Sequence, residues 1–225
     1  IIYLGLAFIA TFFNCCVVYT TKTRFEGGNA TFMESLKFAI SKIHLILAWS
    51  LVSALVGTLL RLIDMLAEKL GFIGEIIVKM ITSIIGLLWS ILTIFVVPSM
   101  VYNDSGPIDA IKDSAYVIKK TWGESLIRHY GLGLIQFFVF LLGTIVLIPL
   151  VMAGFAVGTT VGNPVLGVVP VAVIGVIYFV LVGFTFAVAN SVFNTALYVY
   201  AHSGTVPMGY SQEILANAFT QKKQK

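Results

Sequence analysis

Charge is scarce in this sequence. Asp, Glu, Lys and Arg together make up 11% of its 225 residues, against about 25% in soluble domains. That shortage excludes an ordinary water-facing globular surface. Cysteine is scarcer still. Cys15 and Cys16 are the only two and are adjacent, so they cannot staple distant segments into a disulfide framework. They read as two small apolar residues of a helix, with lipidation or redox chemistry as alternatives. Histidine is limited to His44, His129 and His202, none in a His-Glu-x-x-His or Cys/His pattern with metal-ligand spacing. There is no Gly-x-Ser-x-Gly elbow and no phosphate-cradling loop. Gly131-x-Gly133 lies in an apolar helix and is no nucleotide fingerprint. The expectation is therefore no catalytic residue, no cofactor and no metal. The net charge of +4 and pI of about 9.0 come without a basic run interleaved with aromatics, so nucleic acid is not an expected partner.

What is present is apolar. Hydrophobic residues make up 59% of the chain and mean hydropathy is +0.99. A bilayer resolves that surplus, because lipid replaces water around the outer face. Disorder is excluded by the same surplus. A spanning helix needs about 20 mostly apolar residues. Such segments lie at 1–19, 45–66, 76–102, 132–157 and 165–200. The fold class is thus an all-α integral membrane protein, one transmembrane domain with about five spans. The last segment is too long for a straight crossing. It either tilts, or its Pro164–Gly175 part forms a separate turn or re-entrant piece. Pro98 and Pro149 are expected to kink the third and fourth spans. The sequence opens on Ile1-Ile2 inside an apolar stretch, so further segments are expected upstream. A signal peptide is disfavoured because no small-residue cleavage site follows.

The loops set the orientation. Lys22, Arg24, Lys37, Lys42, Lys112, Lys119, Lys120, Arg128, Lys222, Lys223 and Lys225 fall on one side; Arg61, Lys69 and Lys79 fall on the other. The positive-inside rule makes the first side cytoplasmic. Residue 1 then lies outside and the C-terminus inside, as expected for a protein of the prokaryotic cytoplasmic (inner) membrane.

The chain also repeats itself. After the first span come a polar turn and a helix with apolar positions Met33, Leu36, Ile40, Ile43 and Leu47. After the third come another turn and Ile108, Ile111, Ala115, Ile118 and Trp122, each 75 residues on. The 3, 4, 3, 4 spacing puts one apolar stripe on each helix. Thr31 with Glu34 reads as a capping box. Gly106 and Asp109 hold the equivalent places, with Pro107 at the first helical site. Phe13-Asn14-Cys15-Cys16 resembles Phe193-Asn194-Thr195-Ala196, and a short helix at 210–220 would complete a partial third copy. The repeat units are 1–66, 76–157 and 165–220. These amphipathic helices are expected either to lie in the cytoplasmic interface or to dock and continue into the next span. Lys119, Lys120 and Trp122 favour the interface for the second copy.

Polar residues inside spans are functional candidates, because lipid penalises them. Asn14, Asn190 and Asn194 qualify, either as packing hydrogen bonds or as the lining of a solute path. Gly183, Ala187, Ser191 and Thr195 recur every four residues and form a candidate helix-packing face. Ser53 with Gly57, and Gly154 with Gly158, are weaker pairs of the same kind. Glu75 and Lys79 are expected to pair at i, i+4, and Arg61 with Asp64 likewise.

The stretches Thr11-Phe12-Phe13-Asn14, Ala48-Trp49-Ser50-Leu51-Val52-Ser53-Ala54-Leu55-Val56-Gly57, Leu88-Trp89-Ser90 with Phe95-Val96-Val97-Pro98, and Lys119-Lys120-Thr121-Trp122-Gly123-Glu124 carry a resemblance. Over about residues 5–135 the chain resembles a prokaryotic family of multi-pass membrane proteins classed only as a domain of unknown function. More loosely, its span–amphipathic helix–span unit is similar to the membrane domain of some glycerophosphodiester phosphodiesterases, whose catalytic domain it lacks. The resemblance implies a location and a fold but no activity. The expected role is a non-enzymatic membrane subunit or scaffold. Its partners would be membrane lipids and other membrane subunits or further copies of itself. The alternative is a channel or transporter for a small solute or ion.

Overall fold

The computed structural model describes residues 2–121, 131–212 and 215. These form helices α1 (Ile2–Phe25), α2 (Phe32–Ser41), α3 (Ile43–Ala67), α4 (Gly71–Leu92), α5 (Val96–Asn103), α6 (Pro107–Thr121), α7 (Gly131–Thr160) and α8 (Pro164–Ser203), with no strand among the described residues. Among the described residues, five helical segments are long and apolar enough to cross a membrane: α1, α3, α4 with α5, α7 and α8. The all-α membrane fold expected from composition is the fold observed. Trp122, Arg128, His129, the terminal lysines and most of 210–220 lie outside the described residues.

Proline acts differently at Pro98, Pro149 and Pro164. The third span is broken at Thr93–Phe95, upstream of Pro98, which sits in the first turn of α5. Pro98 has no N–H for the Ile94 carbonyl and its ring crowds that group, so the helix stops and restarts. Pro149 lies inside α7, which runs on past it without a break. Pro164–Gly175 is neither a turn nor a separate piece; it is the first part of α8, a single helix of 40 residues. Pro164 occupies the first helical position, where a missing N–H costs nothing. The Asn163 side chain accepts from the Val165 N–H at 3.1 Å.

The turns close as their residues dictate. Thr31 and Glu34 form the capping box in full: Thr31 N–H donates to Glu34 Oε2 at 2.7 Å, and Glu34 N–H to Thr31 Oγ1 at 3.3 Å. The Thr31 N–H holds the Glu34 carboxyl below the usual carboxylate range. Lys42 alone separates α2 from α3, and its carbonyl accepts from Leu45 and Ile46, so α2 leads almost directly into α3. Asp104 ends α5 in the left-handed region at φ 55° and pairs with Lys42 at 2.7 Å.

The described chain divides into two compact units, 1–126 with 191–225, and 127–190. In the first unit, α1 packs on α2, α3 and α5, while α6 packs on α3, α4 and α5. Cys15 and Cys16 are buried and unbonded to each other, in a cluster with Val18, Ala39, Ile46, Val97 and Val101. Trp49 stacks on Trp89. Helices α2 and α6 turn small residues inward. Ser35 and Ala39 of α2 and Ala110, Ser114 and Val117 of α6 are buried, whereas Met33, Ile40, Ile43, Leu47 and Ile108 are exposed.

The second unit is a hairpin of α7 and the first part of α8. Its close approach is made by glycine. A Cβ on Gly154 would meet the Gly167 carbonyl at 2.5 Å, and one on Gly158 would meet Pro164 at 2.7 Å. A Cβ on Gly167 would overlap the Gly154 carbonyl, and one on Gly143 the Tyr178 ring. Gly162 makes the turn at φ 81°, a conformation costly for other residues.

Candidate functional site

The polar residues expected inside the spans have separate fates. Asn14, half-buried on α1, accepts a hydrogen bond from the Ser191 hydroxyl of α8. Thr195, fully buried, turns its hydroxyl back onto the Ser191 carbonyl at 2.7 Å. Asn194 and Asn190 are half-buried. The small-residue row also divides. Ser191 and Thr195 pack within the chain, but Ala187 is exposed and a Cβ added to Gly183 would meet nothing within 4 Å. The pair Gly154 and Gly158, the weaker signal in the sequence, is where helices approach closely.

One expected ion pair forms and one does not. Lys79 bonds Glu75 at 2.6 Å. Arg61 and Asp64 each find a partner on another helix instead. Arg61 donates to the Tyr3 hydroxyl and lies over its ring, and Asp64 accepts from Thr82. Tyr3 of α1 and Thr82 of α4 take the place of the local i, i+3 pairing.

A polar cluster among the described residues was not singled out by the sequence. It joins the end of α5, the middle of α6 and the end of α8, all within the first unit. Tyr198, 1% exposed, donates from Oη to Asp113 Oδ2 at 2.7 Å. Asn103 Nδ2 donates to the same Oδ2 at 3.2 Å and to Tyr198 Oη at 2.8 Å. His202 stacks on the Tyr198 ring, with Nδ1 3.9 Å from Asp113 Oδ1. Tyr102 packs against Tyr198 from α5, with Lys22 Nζ 4.8 Å over its ring. Beside them Ser99 Oγ and Ser105 Oγ lie 3.0 Å apart.

The local reasons are plain. Ala110, Asp113, Ser114 and Val117 recur at helical spacing, so the small inward face of α6 carries one carboxylate. Tyr198 and His202 are one turn apart on α8 and share a face. An acid on the small-residue side of an amphipathic helix is the signal that would have located the site. Chemically, the cluster ties three helices through one carboxylate. Removing an acceptor from such a buried network leaves its donors unpaired. Among the described residues, no group of three or more His, Cys, Asp or Glu side chains is placed to hold a metal ion.

Neither the curated proteins nor the solved structures contain a match to this chain. A family profile matches residues 1–208, a stretch that takes in every span and extends well beyond residues 5–135, where the motifs quoted above lie. By that match the chain belongs to DUF6159, a family of unknown function.

Proposed function

We propose that this protein is a non-catalytic membrane subunit or scaffold of the prokaryotic cytoplasmic membrane, acting through protein and lipid contacts with its C-terminus in the cytoplasm. The observation that carries this reading is the divided small-residue row of α8. Ser191 and Thr195 are spent on contacts within the chain, while Gly183 and Ala187 stand open. Small residues at four-residue spacing favour close approach by another helix, and a second copy or another membrane subunit would supply it. The outward Met33, Ile40 and Ile108 of α2 and α6 suit the headgroup boundary of a bilayer.

Burial supports the reading of an internal repeat. Ser35 and Ala39 match buried Ala110 and Ser114 at the 75-residue offset. Cys15, Cys16, Val18 and Thr21 match buried Thr195, Ala196, Tyr198 and Ala201 in the register that aligns Phe13 with Phe193.

The test is Gly183→Leu with Ala187→Leu in the full chain. The expected outcome is a changed native mass or loss of co-purifying subunits, with an unchanged melting temperature. Unchanged mass and unchanged recovery of partners would sink the proposal. A second reading, channel or transporter, is favoured by the broken third span, since transporter sites are commonly built on discontinuous helices. Solute flux in vesicles containing the pure protein would move the conclusion to that reading.

A further inference from the structure

The break in the third span is sealed from two sides. On the α4 side, Thr93 Oγ1 donates to the carbonyls of Trp89 at 2.9 Å and Ser90 at 3.3 Å. On the α5 side, the Phe95 N–H donates to Ser114 Oγ of α6 at 3.2 Å. Phe95, Val96 and Ser114 are each 0% exposed, so no water replaces that acceptor. An unsatisfied backbone N–H in such a place is costly. The neighbouring residue of α6, Asp113, holds the far end of α5 through Asn103. Helix α6 also packs on both α4 and α5, the two halves of the broken span.

We infer that α6 is a latch on a hinged third span: Ser114 closes the hinge at Phe95, and Asp113 fixes the far end of α5 to α6 and α8. Exposed Ile108 and Tyr116 lie on the opposite side of α6 from Ser114. A displacement of α6 is therefore transmitted to the break and loosens the joint between α4 and α5, while α5 keeps its packing on α1. A continuous α-helix has no such joint, because each amide there is bonded within the helix.

Amide hydrogen exchange on the full chain in micelles tests this. Ser114→Ala removes the acceptor and keeps the Cβ. It is expected to speed exchange of the Phe95 amide by roughly tenfold or more, leaving amides of α1 and α3 unchanged. Asp113→Asn is expected to speed exchange near Asn103 while the Phe95 amide stays slow. Unchanged Phe95 exchange in Ser114→Ala would overturn the inference. So would a uniform rise across all helices, which would mark Ser114 as a contributor to general stability and not a local latch.

Discussion

The two compact units hold themselves together by different means. The first is packed by side chains: buried Tyr198, Phe95 and Ile46 fill its interior, and Asp113 ties α5, α6 and α8. The second brings its helices closest where side chains are absent. Among its described residues only Gly158 and Gly175 are buried. Contact depends on the backbones of Gly154 and Gly167 coming together. Both solutions suit a bilayer, where lipid removes the hydrophobic drive between helices and close packing or polar ties must replace it. The first unit resembles a soluble core in its use of interlocking shapes. The second leaves its sides for lipid or another helix.

Breaking each unit by its own means should therefore have different consequences. The largest effect is expected from Gly167→Val. The added side chain has nowhere to go but the Gly154 carbonyl, and overpacking of that kind costs about 1–3 kcal/mol. Thermal unfolding should fall to a lower midpoint, with increased exchange confined to 131–190. Asp113→Ala should follow, at about 1–3 kcal/mol, because the buried Tyr198 hydroxyl loses its acceptor and Asn103 loses one of its two. Its increased exchange should fall in α5, α6 and the end of α8. Tyr178→Phe should be smallest. It removes the 2.8 Å hydrogen bond to the Val139 carbonyl and keeps the ring over Gly143, a loss of about 0.6 kcal/mol. If Asp113→Ala loosened α7, or Gly167→Val loosened α6, the contrast between the units would fail.

Much of this was legible in the residues. The spans followed from long apolar runs, and the Thr31–Glu34 cap from its spacing, because both signals are local. Glu75 and Lys79 paired for the same reason. What depended on the neighbouring helix was not legible. Arg61 and Asp64 parted because Tyr3 and Thr82 are brought to them by other helices. The stripe of large apolar residues drew attention on α2 and α6, yet the small residues Ser35, Ala39, Ala110 and Ser114 mark the inward face. In a membrane, hydrophobicity alone does not separate inside from outside, and on α2 and α6 small residues mark most of the buried positions. Asp113 was passed over because its partners lie ten and eighty-five residues away.

The proposed topology, with the turn at 26–31 and the segment after α8 on the cytoplasmic side, requires alternate turns to open to opposite compartments. Labelling with a membrane-impermeant maleimide in intact cells tests that most directly, since native Cys15 and Cys16 are buried. Single cysteines at exposed positions Asn29, Lys69, Val161 and Thr205 sample the described turns. Lys69→Cys and Val161→Cys should label from outside, whereas Asn29→Cys and Thr205→Cys should label only after the membrane is opened. Labelling of Asn29→Cys and Val161→Cys from the same side would contradict the account.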